Sequence, residues 1–311
     1  MEPLLTISDL SVSFPVKGKR LVAVDNLHLR ILPKKTLGLI GESGCGKSTL
    51  ALAIMRLLPK ETLISGAIKF EDRDLLNLSD SEMRKVRGDR ISMIFQEPRA
   101  SLNPVFTIGS QIEETILAHR KVSKRGARQI SSSLLKKVGM AGCEKAYAHS
   151  LSGGMCQRAL ISAALVTNPK LLIADEPTTA LDVTIQAQIL SLLKELSCEL
   201  QMSLLLITHD LSIIAEMAND VAVMYAGQIV EYGSLEAVFE AGHPYTKALI
   251  SSIPKLGKGR LSGIPGESPD PLNLTMGCNF APRCYDKEPV CLTEKPELRD
   301  VREGHFIRCL R

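Results

Sequence analysis

The residues of this chain best suited to chemistry form the segment 41–49, which reads Gly-Glu-Ser-Gly-Cys-Gly-Lys-Ser-Thr. Its glycines permit close backbone approach, so that successive amide groups can point at phosphate oxygens where a helix begins. Lys47 adds a positive charge for the β- and γ-phosphates, and the Ser48 hydroxyl is a ligand for Mg²⁺. This spacing is that of a P-loop, and it predicts a nucleoside triphosphate site. The predicted binding residues are Gly41, Glu42, Ser43, Gly44, Cys45, Gly46, Lys47, Ser48 and Thr49.

Two adjacent carboxylates follow the apolar run Leu171 to Ala174. Asp175 is expected to hold Mg²⁺ through water, opposite Ser48, because a hard cation prefers oxygen ligands and keeps much of its hydration. Glu176 is not needed for the metal, and it is placed to orient and deprotonate the attacking water. Alone, the pair could be an ordinary turn after a strand. The P-loop upstream favours the catalytic interpretation.

Two further polar residues each follow an apolar run. His209 comes after the run Leu204 to Ile207 and could contact the γ-phosphate and the water, although a lone histidine there is more often structural. Gln96 comes after the run Ile91 to Phe95, and its amide could bind Mg²⁺ or water. Because Gln96 lies before a helical region, it could also report the nucleotide state to that region.

A second device for binding phosphate follows Leu151. Ser152 and two adjacent glycines, Gly153 and Gly154, precede a helix predicted over Ala159 to Val166, with Ser152 as a side-chain donor. One nucleotide hardly needs two such cradles on one subunit. We therefore predict that this segment closes over ATP bound to another subunit, so that hydrolysis depends on dimerisation. The alternative is a capped helix after a tight turn.

The elements that must position these residues are visible as apolar patterns. Short apolar runs before the polar residues are typical of strands buried on both faces of a parallel sheet, whose carboxyl ends carry the active site. A helical stripe follows Asp182, and a second helical face lies between Gln96 and Val166. The stripe consists of Ile185, Ile189, Leu192 and Leu196, and the second face of Ile108, Ile112 and Ile116. The alternating segment Leu4 to Ile31 predicts a half-exposed antiparallel sheet.

Composition limits the classes of protein to which the chain can belong. Its 311 residues, 45% of them apolar, suit a globular protein of about two domains. A net charge of +4 is too small to indicate a nucleic-acid partner. No run of about eighteen apolar residues occurs, and the N-terminus lacks the pattern of a secretory signal. We therefore expect a protein that does not itself cross a membrane.

Four of the eight cysteines lie close to the C-terminus: Cys278, Cys284, Cys291 and Cys309. An intracellular nucleotide-binding protein keeps its thiols reduced, which argues against a disulfide framework. The spacing matches neither the paired C-x-x-C of common zinc sites nor a ferredoxin sequence, so the spacing alone identifies no metal.

Taken in order over roughly residues 4 to 250, these motifs resemble the nucleotide-binding subunit of an ATP-binding cassette (ABC) transporter. The resemblance implies that Phe14 stacks on adenine, that Gln96 is the Q-loop residue and that His209 is the switch histidine. It also implies that Ser152, Gly153, Gly154 and Gln157 belong to the signature and that Asp182 belongs to the D-loop, all contacting nucleotide. Cys156 departs from the polar or basic residue common there, and we do not expect this to stop hydrolysis.

The flanks resemble the dipeptide, oligopeptide and nickel importer group, through Phe95-Gln96-Glu97-Pro98, the segment His243 to Leu249 and the cysteine-containing tail. The expected organisation is an ABC domain over 1–251, with a helical subdomain at about 97–166, and an extension over 252–311. The fold class is α/β, a P-loop core with a mainly parallel sheet, an antiparallel β subdomain, the helical subdomain and the extension. The resemblance implies a 4Fe-4S cluster on the four tail cysteines, with zinc and unliganded thiols as alternatives.

The resulting hypothesis is an ATPase subunit, using ATP and Mg²⁺, at the cytoplasmic face of the inner membrane. It would energise import of di- or oligopeptides through two separate permease subunits. By resemblance, a paralogous second ATPase and an extracytoplasmic substrate-binding protein complete the complex. The alternatives are a soluble iron–sulfur-dependent regulatory ATPase, or an importer of nickel or another small solute.

Overall fold

The structure is a computed structural model that describes residues 2–16, 18–240, 242–252 and 264–311. Residues 253–263, near the start of the predicted extension over 252–311, lie outside these ranges. The chain forms two compact units. Unit 1 comprises Met1–Asn77 and Ile207–Arg311, and unit 2 comprises Leu78–Leu206.

The strands and helices of the described residues alternate along much of the chain. The strands are β1 (Leu5–Val16), β2 (Lys19–Ile31), β3 (Thr36–Ile40), β4 (Leu63–Phe70), β5 (Arg73–Asp74), β6 (Ile91–Ile94), β7 (Leu171–Asp175), β8 (Ser203–Thr208), β9 (Asp220–Tyr225), β10 (Gln228–Ser234), β11 (Arg299–Arg302) and β12 (His305–Ile307). The helices are α1 (Lys47–Ile54), α2 (Asp80–Val86), α3 (Pro98–Ser101), α4 (Ile108–His119), α5 (Lys124–Lys137), α6 (Gly153–Leu165), α7 (Val183–Glu199), α8 (Leu211–Met217), α9 (Leu235–Phe239) and α10 (Pro244–Ser251). Single 3₁₀ turns cover Leu75–Asn77, Ala148–Ser150 and Pro289–Leu292.

The antiparallel sheet predicted from the alternating N-terminal segment is present in unit 1, with strand order β2-β1-β4-β5. Leu5 of β1 lies opposite Ile31 of β2 on one side and opposite Phe70 of β4 on the other. The apolar residues of the alternation face the core, and Leu5, Ile7 and Val12 are buried. Apolar burial on one face is therefore the main force that holds this sheet in register.

A second group of strands in unit 1 has the order β11-β12-β10-β9-β3. Among the described pairings of this group, only β3 and β9 are parallel, with Leu39 opposite Ala222. The C-terminal hairpin of β11 and β12 joins this group because Glu231 of β10 pairs with Ile307 of β12. Residues 306 and 307 are thus paired into the sheet that contains β3, the strand preceding the P-loop.

Unit 2 contains β6, β7 and residues 203–206 of β8, in the strand order β8-β7-β6, with β6 and β7 parallel and Ile91 opposite Leu171. Every residue of β7 is buried, as expected for a strand covered on both faces. Both predicted helical faces are confirmed for the most part. Ile108, Ile112 and Ile116 are buried in α4, and α7 buries Ile189, Leu192 and Leu196. Among the described residues, the helices are too short or too polar to cross a bilayer.

Candidate functional site

The P-loop of unit 1 connects β3 to α1, as the sequence predicts. Gly44 and Gly46 have positive φ angles of 79° and 109°, which a residue with a side chain rarely adopts. A Cβ atom on Gly41 would lie 2.1 Å from the carbonyl oxygen of Met224, and one on Gly46 would lie 2.3 Å from that of Ala23. The loop therefore packs against neighbouring backbone at a distance that only glycine allows.

Lys47 is buried at the first position of α1, with its ammonium group folded back over the loop. Its Nζ atom donates to the carbonyl oxygens of Gly41 at 2.8 Å and Glu42 at 2.9 Å. The charge is thus held in place by the loop itself, without cost in side-chain entropy when a phosphate arrives. Burial raises the pKa of the Cys45 thiol, and the nearby Lys47 opposes this shift. The thiol is therefore neutral at physiological pH.

The other predicted nucleotide ligands of unit 1 occupy more open positions. Ser43, Gly44 and Ser48 are exposed, and Thr49 is half-buried. His209 is exposed directly after β8, before the helix α8 that Asp210 caps. Phe14 is half-buried in β1, opposite Leu21. The contacts of His209 and Phe14 with nucleotide stay predictions.

Two of the predicted catalytic residues, Gln96 and Glu176, are hydrogen bonded to each other in unit 2. Asp175 is buried as the last residue of β7, and Glu176 follows it with a positive φ of 45°. Oε2 of Glu176 accepts hydrogen bonds from Thr179 Oγ1 at 2.8 Å and from Gln96 Nε2 at 3.3 Å. Sequence reasoning missed Thr179. Its position three residues after Glu176 in a tight turn was the available signal.

The signature segment forms the start of α6. The helix begins at Gly153, six residues before the predicted Ala159, because the Ser152 hydroxyl accepts a hydrogen bond from the backbone N–H of Met155 and caps the helix. Ser152 is exposed, and Gly154 is packed so closely that a Cβ atom would lie 2.6 Å from Cγ2 of Ile185. The helix start at Ala159 was therefore wrong, while the glycines do lie at a helix N-terminus.

Gln157 and Asp182 are the two other residues of unit 2 that were predicted to contact nucleotide. Gln157 is fully buried, and within the described part of the chain its amide atoms have no hydrogen-bond partner. Asp182 is exposed and caps α7 by accepting a hydrogen bond from the N–H of Ile185 at 3.0 Å. Their contacts with nucleotide stay predictions.

The four tail cysteines of unit 1 line one small cavity, of about 20 Å³, together with Phe280 and His243. None of the four forms a disulfide. Burial raises the pKa of Cys278 and Cys284, and the neighbouring thiols Cys309 and Cys291 raise it further. The donor set has the soft character that iron–sulfur clusters and zinc require. In the described residues, however, no three potential ligands are arranged closely enough to hold a metal ion.

Comparison with known proteins agrees with this geometry. The chain matches the ABC transporter family over residues 24–179 and the oligopeptide/dipeptide transporter C-terminal region over residues 230–291. It is 47% identical to the oligopeptide transport ATP-binding protein AppD of Bacillus subtilis, over 99% of this chain and 97% of that protein.

Two solved structures are also similar. A post-hydrolysis dimer of the ATP-binding cassette MJ0796 bound to ADP and Pi has a TM-score of 0.67 and 25% identity, covering 74% of this chain and 98% of that one. CbiO1 of Clostridium perfringens, part of the transporter complex cbiONQ, has a TM-score of 0.66 and 26% identity, covering 78% and 92%. With its P-loop, its carboxylates at the end of β7 and its signature helix, the chain belongs to the ABC transporter family and carries the C-terminal region of the oligopeptide/dipeptide transporters.

Proposed function

We propose that this chain is the ATP-hydrolysing subunit that energises import of di- or oligopeptides through separate membrane permeases. The observation that carries the proposal is the preset P-loop, in which the buried Lys47 already lies over the loop carbonyls. The nearly full-length similarity to an oligopeptide transport ATP-binding protein supports the choice of cargo. The domain organisation that we propose remains an ABC domain over 1–251 and an extension over 252–311.

The chemistry follows from the residues of each unit. Lys47 and the P-loop amides neutralise charge on the transferring phosphoryl group, which is the main requirement of this reaction. Ser48, Gln96 and Asp175 supply oxygen ligands of the kind that Mg²⁺ prefers. Glu176 accepts the proton of the attacking water, and Thr179 holds its carboxylate in one orientation. His209 assists at the γ-phosphate.

A second ATPase subunit completes the nucleotide site in this proposal. Ser152, Gly153 and Gly154 lie at the N-terminus of α6, a helix of thirteen residues. The partial positive charge at this end of the helix favours an anion. We assign them, with Gln157 and Asp182, to ATP bound by the partner. The partner is a paralogue of this chain, and the pair acts in a heterodimer.

The permeases dock on unit 2 in this proposal. Val105, Phe106 and Tyr147 are large apolar side chains with exposed fractions of 71%, 52% and 40%. They are neighbours, because Thr107 forms a β-bridge with Tyr147. An exposed apolar patch of this kind is typical of a protein contact. Docking there would hold the chain at the cytoplasmic face of the inner membrane, beneath an extracytoplasmic substrate-binding protein.

We further propose that Cys278, Cys284, Cys291 and Cys309 hold a 4Fe-4S cluster. Their sharing of one cavity supports this assignment, although the thiols would have to close around the group. Bound there, the cluster would supply a structural or redox centre. Anaerobic purification followed by iron and sulfide analysis tests the assignment: four irons per chain are expected, and a chain that holds neither element under these conditions refutes it.

Purification of the tagged chain from native membranes in mild detergent, with mass spectrometry of the proteins that accompany it, tests the main proposal. Two multi-span permeases and a second ATPase are expected, together with ATP-dependent uptake of labelled dipeptide by vesicles containing the complex. A purely soluble partner would refute the transport role and favour the regulatory ATPase. Uptake of nickel but not peptide would change the cargo alone.

A further inference from the structure

An ion pair joins the P-loop to the cysteine-containing tail. Arg283, which directly precedes Cys284, donates from Nη1 to Glu42 Oε2 at 2.6 Å and from Nη2 to Oε1 at 2.9 Å. This two-pronged geometry is the strongest that arginine makes with a carboxylate. The Arg283 side chain is 7% exposed and that of Glu42 is 24% exposed, so solvent screens the pair only weakly.

Arg283 is itself held in place by the tail and the sheet. Its Nε donates to the carbonyl oxygen of Pro265 at 2.9 Å, and its guanidinium lies over the ring of Tyr225, 5.8 Å from the centroid. A guanidinium is charged throughout the physiological pH range. Arg283 is thus a fixed cation aimed at the second residue of the P-loop.

A second contact fixes the same P-loop residue. The backbone N–H of Glu42 donates to the hydroxyl of Tyr245 at 3.0 Å. The Tyr245 ring packs with Tyr225 and Phe280, at centroid distances of 4.6 and 5.3 Å. Phe280 belongs to the tail and also lines the cavity of the four thiols. Both the backbone and the side chain of Glu42 are therefore held by residues that follow the P-loop by about 200 positions or more.

The position of Glu42 matters for nucleotide because its carbonyl oxygen accepts a hydrogen bond from Lys47 Nζ. Glu42 is also the only acidic residue of the segment 41–49. Burial is the main cause that raises the pKa of the Cys45 thiol, and the charge of Glu42 adds to that shift. Without Arg283, an uncompensated carboxylate would therefore stand in a loop that must accept a triphosphate. A buried ion pair is weak evidence for stability alone, which leaves room for a functional role.

We infer that Arg283 is a positioning residue of the nucleotide site, through which the C-terminal cysteine segment sets the affinity of the P-loop for ATP. Arg283 orients Glu42 and cancels its charge, and Glu42 in turn orients Lys47. The inference deepens the proposed function and rests on nucleotide binding by the P-loop. It gives the tail a role in the ATPase reaction that does not depend on which group the thiols hold.

The test is a double-mutant cycle on the full-length chain, with Arg283→Met, Arg283→Lys, Glu42→Gln and the double variant Glu42→Gln/Arg283→Met. Arg302→Met is the matched control, because Arg302 lies in the same tail and forms an exposed ion pair, with Glu240. Three quantities are measured: the Kd of a fluorescent ATP analogue, the Tm, and hydrogen–deuterium exchange of the amides of 41–49. The exchange data report on the loop independently of turnover.

We expect Arg283→Met to raise the Kd about tenfold, equivalent to about 1.4 kcal/mol, and to speed exchange in the loop. Arg283→Lys keeps the positive charge but loses the paired hydrogen bonds of the guanidinium, so its Kd should rise about threefold. Glu42→Gln removes the repulsive charge, and the double variant should therefore bind ATP more tightly than Arg283→Met alone, a coupling that the cycle isolates.

Two results would overturn the inference. One is an equal Kd for Arg283→Met and Arg302→Met in variants that remain folded, whatever their Tm. The other is a double variant that binds as weakly as Arg283→Met, since the charge of Glu42 would then be irrelevant. If the wild-type chain itself does not bind the analogue, the proposed nucleotide site is refuted, and that failure cannot be attributed to Arg283.

Discussion

Glu176→Gln is expected to abolish ATP turnover while leaving ATP binding intact. The substitution keeps the size of the side chain, and the new amide oxygen can still accept the hydrogen bond that Thr179 Oγ1 donates at 2.8 Å. What it removes is the ability to accept a proton. A positioned general base contributes about 10²- to 10⁴-fold to the rate, which corresponds to about 2.7–5.5 kcal/mol of barrier. We therefore expect kcat to fall by at least about 10²-fold.

Thr179→Val provides a graded comparison. It removes one hydrogen bond to the carboxylate but leaves the carboxylate itself, so the loss should be near the value of a single hydrogen bond, about 1 kcal/mol or about fivefold in kcat. Glu97→Gln is the charge-matched control, because Glu97 is exposed and its side chain makes no capping hydrogen bond to α3. Its kcat should stay within about twofold of the wild type, since exposed substitutions of this kind rarely exceed ~0.5 kcal/mol.

The assay is phosphate release under saturating ATP, combined with a nucleotide titration of each variant. A Glu176→Gln variant that retains a tenth or more of the wild-type rate would contradict the role of Glu176 as the base. Equal losses in Glu176→Gln and Glu97→Gln would instead point to a general effect of charge. A large rise in Kd for Glu176→Gln would mean that the residue binds ground-state nucleotide, and the reasoning from its hydrogen bonds would then be wrong.

Three further predictions concern individual residues. Lys47→Ala should raise the Kd for ATP about 10- to 100-fold, because the loop loses its only full positive charge; an unchanged affinity in a titration would count against the P-loop site. Cys45 should react with iodoacetamide slowly at neutral pH and faster as the pH rises past 9.0, since burial raises its pKa above that value and only the thiolate is nucleophilic. Peptide mass spectrometry measures the extent of alkylation at Cys45, and full reaction at pH 7.5 would refute this prediction. Phe106→Asp should abolish copurification of the permeases but leave the ATP affinity unchanged, and copurification at wild-type yield would exclude the apolar patch as their docking site.

Much of the fold could be predicted from the sequence because the signals are local. The three apolar runs before Gln96, Asp175 and His209 were predicted as strands, and β6, β7 and β8 match them to within one residue at each end. The P-loop is recognisable because its glycines, lysine and hydroxyl must stand at fixed spacing in one contiguous turn. The apolar face of α4 was equally predictable, because its period of about 3.6 residues follows directly from the order of the side chains.

The sequence located the chemistry, but tertiary structure decided which side chains meet. The start of α6 was misplaced because capping by Ser152 depends on backbone geometry rather than on apolar periodicity. Gln96 reaches Glu176 across 80 positions, and Arg283 reaches Glu42 across 241. No local pattern encodes such pairs, since they arise only when the packing of apolar faces brings distant segments together. The P-loop is therefore encoded by nine adjacent residues, whereas its ion pair with Arg283 of the C-terminal tail depends on the folded chain.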